Sequence, residues 1–140
     1  MNRRILLGDD DPPARIMVAR VLRAGGYDVV FAGTVEEAIA ECRTAVPDLV
    51  LLDVKTPGPE GWQPFDEIRR LNPTAPVIAI TTLSNQSDHA DQRGIDAFLE
   101  KPLDLPLLLA VISDLLAETE ERRRKRRHAG ARLESVRLAA

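Results

Sequence analysis

The sequence contains little cysteine, few aromatic residues and no long apolar run. Its one cysteine, Cys42, excludes a disulfide within the chain, which is typical of a reducing compartment. No apolar stretch reaches the length of about 18 residues that a membrane-spanning helix needs, so we predict no membrane segment. The apolar run Ile5–Gly8 near the N-terminus is too short for a secretory signal peptide. We therefore expect a cytoplasmic protein.

The rest of the composition is typical of one ordinary globular domain. The 140 residues are 44% apolar and 29% charged, which is enough for a single core. The net charge of −3 is unevenly distributed, because residues 118–140 hold eight Lys/Arg and four Glu, whereas residues 1–117 hold 11 basic and 18 acidic residues. We therefore divide the chain into an acidic body, residues 1–117, and a basic C-terminal tail, residues 118–140.

Apolar runs alternate along the body with segments of helical period. Strands are predicted at Arg4–Gly8, Tyr27–Ala32, Leu49–Asp53, Pro76–Thr81 and Ile95–Leu99. Helices are predicted from Pro12 to Gly25, from Val35 to Val46, from Trp62 to Leu71, in the polar stretch Ser84–Arg93, and from Asp104 to Leu116. Thr34 followed by Glu37 is the pattern of a capping box.

Five strand–helix units in sequence predict an α/β fold, with helices on both faces of a five-stranded parallel sheet. We expect the flavodoxin-like strand order 2-1-3-4-5, which has a switch point between the first and third strands. Open sheets of this kind bind ligands outside the carboxyl ends of their strands.

An acidic run, Asp9, Asp10 and Asp11, follows the first predicted strand directly. Adjacent carboxylates repel each other and resist burial, so they are found where solvent reaches them or where a cation holds them together. A simpler interpretation is that the run only caps the following helix, because Asp is favoured at helix N-termini, and Asp11 precedes Pro12 as a helix start would.

Other chemistry-bearing residues follow the remaining central strands. Asp53 ends the third strand, Thr81 ends the fourth, and Lys101 follows the fifth. In the expected strand order these strands are neighbours, so their side chains converge with the acidic run on one edge of the sheet. Three carboxylates require a hard divalent cation such as Mg²⁺, which prefers oxygen ligands. A lysine and a hydroxyl beside them form an oxyanion-binding pair, so the set is suited to handling a phosphoryl group.

Over about residues 3–117 the chain resembles the receiver (CheY-like) domain of two-component response regulators. Four segments carry the resemblance, in the family's order and at compatible spacing: Ile5–Pro12, Asp48–Gly61, Val77–Thr82 and Gly94–Pro102. The resemblance implies a signalling domain that accepts a phosphoryl group from a sensor histidine kinase or a histidine phosphotransfer protein. It implies a switched surface that binds a downstream protein and is compatible with a homodimer. It implies no enzymatic activity beyond self-catalysed phosphoryl transfer and autodephosphorylation.

The resemblance also assigns roles to residues around the acidic run. Asp53 would be the phosphoacceptor. Asp10, Asp53 and the main-chain carbonyl of Lys55 would bind Mg²⁺ or Mn²⁺, and Asp9 would act mainly through metal-bound water. Asp11 is left to cap the helix.

Further roles fall on the fourth and fifth strands. Thr81 would contact the phosphoryl oxygens, and Lys101 would pair with the phosphoryl group, or with Asp53 when that group is absent. Phe98 occupies the family's aromatic switch position, and the Lys101–Pro102 bond is expected to be cis. On phosphorylation Thr81 would move towards the phosphoryl group and Phe98 into the space vacated, which would change the face formed by the Ser84–Arg93 helix, the fifth strand and the last helix.

The sequence departs from the family at a few positions. Gly8 replaces the usual aliphatic residue and is expected to loosen the end of the first strand. Phe98 lacks the hydroxyl of many members, so switching would depend on packing alone. The interval from Thr81 to Lys101 is about two residues short, and the shortfall lies in Ser84–Arg93, which indicates a short or partly unwound helix. Lys55 stands two residues after Asp53, where it could shield the phosphoryl group from water.

Two alternatives stay open. The chain could be a receiver-like interaction module that is never phosphorylated, or a nucleic-acid-associating protein that binds through the tail. The six consecutive basic residues Arg122–Arg127 are interpreted first as a solvated continuation of the last helix, with Glu118, Glu120 and Glu121 pairing at helical spacing. Because no aromatic residue interrupts the run, contact with nucleic acid would be electrostatic rather than sequence-specific. Cys42 is predicted to lie in the core.

Overall fold

The computed structural model of the chain describes residues 2–54, 63–81 and 95–128. The strands are β1 (Arg4–Gly8), β2 (Asp28–Ala32), β3 (Leu49–Val54), β4 (Val77–Thr81) and β5 (Ala97–Glu100). The helices are α1 (Pro12–Ala24), α2 (Val35–Thr44), α3 (Gln63–Leu71), α4 (Leu105–Ala117) and α5 (Glu120–His128). The predicted Ser84–Arg93 helix, Lys55 and Trp62 lie outside the described residues.

The five strands form one parallel sheet in the order β2-β1-β3-β4-β5, which confirms the predicted α/β doubly wound fold. The registers align the carboxyl ends of the central strands, because Gly8 pairs with Leu52 and Thr81 pairs with Glu100. The residues that follow β1 and β5 therefore lie at the same edge as the ends of β3 and β4. This carboxyl edge is where the predicted site residues meet.

Each face of the sheet is covered by helices. In β1, Ile5 and Leu7 pack with α1 and α4 on one face, while Leu6 packs with α2 and α3 on the other. The central strands are thus buried on both sides, which explains why they read as continuous apolar runs rather than alternating ones. Complete burial of an aliphatic side chain contributes about 1.5–3 kcal/mol, so these layers supply most of the stabilisation.

Cys42 is a core residue of the second face, as predicted, and is 2% exposed. Burial, and then the charge of Glu41, raise the pKa of its thiol to about 11. Among the described helices, none is both long and apolar enough to cross a bilayer.

The start of α2 confirms the Thr34 cap of the predicted capping box, but the return hydrogen bond of Glu37 goes to the residue before the N-cap. The Oγ1 atom of Thr34 accepts a hydrogen bond from the Glu37 N–H at 3.1 Å. The Glu37 carboxylate in turn accepts from the N–H of Gly33 at 2.9 Å, one residue before the N-cap. Two backbone donors that the helix itself cannot satisfy are thereby paired.

The basic run is helical, which confirms the predicted helical extension, but it forms a separate helix and does not continue the last helix of the body. α4 ends at Ala117, and Glu118 has extended backbone (φ −70°, ψ 136°). Thr119 then starts a new helix, because its Oγ1 accepts a hydrogen bond from the Arg122 N–H at 3.1 Å. The run is also not uniformly solvated, since Arg123 is 6% exposed. Arg123 donates to the carbonyls of Thr74 and Leu115, and α5 is bound to a distant carboxylate, Asp96, through its other inward-facing arginines.

Candidate functional site at the carboxyl edge of the sheet

Four strand ends deliver the predicted site residues to one place. Asp9 and Asp10 follow β1 directly, Asp53 is the penultimate residue of β3, Thr81 is the last residue of β4, and Lys101 follows β5. Asp53 pairs in register with Ile80, the residue before Thr81. The strand order therefore brings together residues that are more than 90 positions apart in the sequence.

Lys101 connects two of the carboxylates. Its Nζ lies 2.7 Å from Oδ2 of Asp53 and 3.3 Å from Oδ2 of Asp9. The Asp53 and Asp9 side chains are 4% and 5% exposed, and that of Lys101 is 19% exposed. Two nearly buried carboxylates thus share one ammonium group, which offsets their mutual repulsion and the loss of their hydration.

The ionisation of Lys101 reflects this pairing. Burial alone would lower the pKa of its ammonium, but the hydrogen bonds to Asp53 and Asp9 and the charges of both outweigh burial and raise the pKa above its ordinary value. Its backbone is held as well, because the Lys101 N–H donates to the carbonyl of Thr81 at 2.8 Å. The Lys101–Pro102 peptide bond is cis, as expected.

The three consecutive aspartates occupy different environments. Asp9 is buried, its N–H donates to the Ala32 carbonyl at 3.2 Å, and its Oδ1 accepts from the Asp11 N–H at 3.0 Å. Asp10 and Asp11 are exposed. Asp11 occupies the N-cap position of α1, but its side chain makes no capping hydrogen bond. Asp11 is therefore the N-cap residue, as predicted, but without a side-chain cap, and its own backbone N–H is bound by the Asp9 carboxylate.

A cleft of about 270 Å³ opens beside these carboxylates. Asp9, Asp10 and Asp53 line it together with apolar residues that include Leu52 and Phe65. Among the residues that the structure describes, no three metal-ligating side chains are already grouped around one point. Mg²⁺ does not need such a group, because it retains several waters and takes only one or two protein carboxylates. The Asp10 and Asp53 carboxylates that line the cleft are the type of ligand that a hydrated Mg²⁺ or Mn²⁺ takes. Lys55, whose carbonyl the sequence added to this set, lies outside the described residues.

Thr81 and Phe98 lie side by side on one face of the sheet. Ala79 pairs with Phe98, and Thr81 with Glu100. Because side chains alternate along a strand, Ala79, Thr81 and Phe98 point to the same face. Thr81 is fully buried, and Phe98 is 9% exposed and belongs to the core beneath α2 and α3. The aromatic ring is therefore inside in this conformation, next to the threonine predicted to move.

Gly8 has a packing role that the sequence did not reveal. A Cβ atom placed on Gly8 would lie 2.3 Å from Cδ2 of Leu52, which is far closer than van der Waals contact. The side chain of Leu52, the residue before Asp53, thus occupies the space that an aliphatic residue at position 8 would need. The strand end is closely packed rather than loosened as predicted. A glycine within a strand pattern often marks such a close approach and was the available signal.

Comparison with known proteins agrees with this geometry. Residues 5–113 match the family model of the response regulator receiver domain. The transcriptional regulatory protein ZraR of Salmonella typhimurium is 34% identical over 119 residues, which are 84% of this chain and 27% of ZraR. PdtaR of Mycobacterium tuberculosis is 34% identical over 113 residues, 79% of this chain and 55% of that protein. The chain thus spans about a quarter of ZraR and about half of PdtaR.

A solved structure gives the same result. The CheY-like receiver domain protein from Methanospirillum hungatei JF-1 has a TM-score of 0.79 and 30% sequence identity, with 86% of this chain and 98% of that chain covered. The chain belongs to the receiver domain family of two-component response regulators.

Proposed function

We propose that the chain accepts a phosphoryl group on Asp53, with Mg²⁺ or Mn²⁺ bound beside it, and thereby switches a protein-binding surface. The observation that carries the proposal is the pairing of Asp53 with Lys101 at 2.7 Å, next to the cleft that Asp10 also lines. A nearly buried carboxylate with a positive charge at contact distance and further oxygen donors beside it is equipped to react with a phosphoryl group.

The reaction begins with a charge problem. A carboxylate and a phosphoryl group repel each other, so attack requires positive charge that offsets this repulsion. Lys101 supplies one such charge from the protein. A divalent cation, when bound, supplies the rest, and Asp10, Asp53 and the carbonyl of Lys55 would hold it while Asp9 orients its water.

The bond changes are those of an in-line displacement. An oxygen of Asp53 forms a bond to phosphorus, and the phosphorus–nitrogen bond of the donor phosphohistidine breaks. The electron pair of that bond returns to the imidazole, which leaves neutral or takes up a proton from water. Lys101, which holds Asp53 before the reaction, then pairs with the new phosphoryl oxygens.

The switch follows from the added charge. Phosphorylation replaces the single negative charge of the Asp53 carboxylate with a phosphoryl group that carries about −1.5 to −2 charges and three acceptor oxygens. The Thr81 hydroxyl can approach the phosphoryl oxygens, and this movement vacates space on the face that Thr81 shares with Phe98. Because Phe98 has no hydroxyl, we infer that its new position is set by packing alone.

The proposal has consequences for the whole chain. Its partners are a sensor histidine kinase or histidine phosphotransfer protein and a downstream protein, with a homodimer as one form of the switched surface, and its compartment is the cytoplasm. Residues 1–117 act as the receiver, and residues 118–140 are a separate basic segment. We propose no reaction beyond phosphoryl transfer to and from Asp53.

Intact-mass spectrometry after incubation with acetyl phosphate and Mg²⁺ tests this function. We expect a labile gain of one phosphoryl group in the wild type and in Asp114→Asn, an exposed control on α4. The gain should be lost in Asp53→Asn and without the metal. If the wild type gains no mass, the chain is instead an interaction module that is never phosphorylated. If the gain survives in Asp53→Asn, Asp53 is not the phosphoacceptor.

A further inference from the structure

The six consecutive basic residues of the tail are divided between two environments. Arg122, Arg124 and Lys125 are exposed, and Lys125 forms a surface ion pair with Glu121 at 3.2 Å. The other three residues, Arg123, Arg126 and Arg127, turn towards the body, and their side chains are 7%, 11% and 15% exposed. Half of the positive charge of the run is therefore withdrawn from solvent.

A fully buried carboxylate holds the inward-facing residues. Asp96, directly before β5, accepts hydrogen bonds from Arg126 at 2.8 Å and from two nitrogens of Arg127 at 2.8 and 2.6 Å. It also accepts from the Val77 N–H at 2.7 Å and pairs with Arg69 at 3.3 Å. Burial alone would raise the pKa of Asp96, but the hydrogen bonds and charges of the arginines outweigh burial and lower the pKa.

Backbone carbonyls complete the binding surface for α5. Arg123 donates to the carbonyls of Thr74 at 2.7 Å and Leu115 at 2.8 Å, and Arg127 donates to those of Pro73 at 2.9 Å and Ala75 at 3.1 Å. The turn before β4 and the residue before β5 both lie at the amino edge of the sheet. This docking surface is therefore at the opposite edge from Asp53 and is independent of the proposed phosphorylation.

The docked helix is built as a separable unit. α5 has no aliphatic side chain, so the contacts that bind it to the body are hydrogen bonds and ion pairs. The extended residue Glu118 and the cap of Thr119 separate it from α4. Its departure would expose no apolar side chain of its own, and its arginines would be hydrated on release. Because these ion pairs are largely buried, salt screens them only weakly, and release is expected from an anion that binds the same guanidinium groups.

We propose that α5 is an autoinhibited nucleic-acid-binding element, in which docking on Asp96 and the nearby backbone carbonyls withholds Arg123, Arg126 and Arg127 from a phosphodiester backbone. Docked, the run presents three basic side chains, and released it presents six consecutive ones. Arginine forks bind phosphate oxygens as they bind carboxylates, so Asp96 and a phosphate compete for the same groups.

The chemistry of α5 favours duplex nucleic acid as its occupant. The helix lacks the aromatic residues on which single-stranded bases stack. It also lacks the apolar face with which amphipathic helices enter a membrane interface. A dense row of positive charge without either feature suits a duplex backbone, and binding should not depend on base sequence.

Fluorescence anisotropy with a labelled DNA duplex, measured over a series of salt concentrations, tests the proposal. The logarithm of affinity should fall with the logarithm of salt with a slope of about −2.7 for three contacts in the wild type and about −5.4 for six in released variants. Asp96→Asn should show the steeper slope and tighter binding at low salt. Asp114→Asn, which makes the same charge change on the exposed side of α4, should match the wild type.

A charge-conserving variant excludes an effect of net charge. It also provides a second test if Asp96→Asn does not fold. Arg126→Lys/Arg127→Lys keeps every charge but loses the two-point contact of Arg127 with Asp96 and that of Arg126 with Glu118, so it should also bind DNA more tightly than the wild type. Arg122→Lys/Arg124→Lys, on the exposed face, is its control. Hydrogen exchange of residues 120–128 reports release directly. If these amides lose protection in the variants and DNA affinity and slope stay at wild-type values, or if protection itself is unchanged, the proposal is wrong.

Discussion

Gly8 is the position at which the structure makes its sharpest stability prediction. A methyl group at residue 8 would lie 2.3 Å from the end of the Leu52 side chain, and Leu52 is 7% exposed. Relief requires rotation of Leu52 within a packed layer, and overpacking of this kind costs about 1–3 kcal/mol. Replacement of glycine by alanine at a compatible backbone position stabilises the fold by about 0.4–1 kcal/mol, because it lowers the conformational entropy of the unfolded chain. We therefore expect Gly8→Ala to lower the free energy of unfolding by about 1 kcal/mol.

A double-mutant cycle identifies the cause. Leu52→Ala alone should cost about 2–5 kcal/mol, because it removes a buried side chain. In that background the methyl group at residue 8 meets no Leu52 side chain, so Gly8→Ala should be neutral or stabilising, which gives a coupling energy of about 1–2 kcal/mol. Urea unfolding followed by circular dichroism measures all four proteins.

A control and a refuting result complete the test. At Gly33 an added Cβ would lie 3.3 Å from the end of the flexible Arg15 side chain, so Gly33→Ala should change stability little in either background. If Gly8→Ala loses the same free energy with and without Leu52, the main chain rather than the Leu52 side chain limits this position. The assignment of Gly8 as a close-packing residue would then fail.

Two further predictions concern the charged edges of the sheet. Lys101→Ala should lower the free energy of unfolding, measured in urea at neutral pH, by about 1.5–3 kcal/mol, because Asp53 and Asp9 lose a shared charged donor. Mg²⁺ should stabilise this variant more than it stabilises the wild type. Equal stabilisation of the two proteins would contradict the interpretation that both carboxylates share the Lys101 ammonium. Since folding raises the pKa of Lys101, its contribution is complete below the unfolded pKa of about 10.4 and is lost as pH rises through the folded pKa, so the two proteins should converge only at strongly alkaline pH. Asp96→Asn should lower the free energy of unfolding by clearly less than the about 3–5 kcal/mol that is typical of a broken buried ion pair. The reason is that α5 can undock, so that Arg126 and Arg127 become hydrated. A loss of about 3–5 kcal/mol while the amides of residues 120–128 stay protected from hydrogen exchange would contradict a separable helix.

The fold was predictable because the central strands are buried on both faces. Their continuous apolar runs placed β1 and β4 almost without error, and the strand order followed from the repeated strand–helix alternation. β5 was displaced, since it spans Ala97–Glu100 rather than Ile95–Leu99. Strand pairing extends β5 to the polar residue Glu100, which pairs with Thr81. At the other end, Asp96 accepts hydrogen bonds from the arginines instead of joining the strand, and the apolar pattern of the sequence gives no sign of that role.

The site was predictable only in part, for a related reason. Strand ends in parallel sheets converge, so Asp53, Thr81 and Lys101 could be placed at one edge from topology alone. The division of labour within Asp9–Asp11 could not, because three identical side chains in sequence carry no local signal of which one turns inward. Asp9 turns inward because the Ala32 carbonyl binds its backbone and Lys101 binds its carboxylate. Both contacts come from other strands.

The tail shows most clearly that contacts between residues far apart in the sequence cannot be predicted from local patterns. Its docking also changes the interpretation of the charge asymmetry between body and tail. The sequence separates an acidic body from a basic segment, which suggests two regions that solvent screens independently. The structure instead joins them, because Asp96 lies 30 positions before Arg126 and no helical periodicity connects the two. Asp96 and Lys101 also flank the same four-residue strand, β5, one at each edge of the sheet. The charges at both edges therefore depend on the position of β5, which its hydrogen-bonded register with β4 fixes.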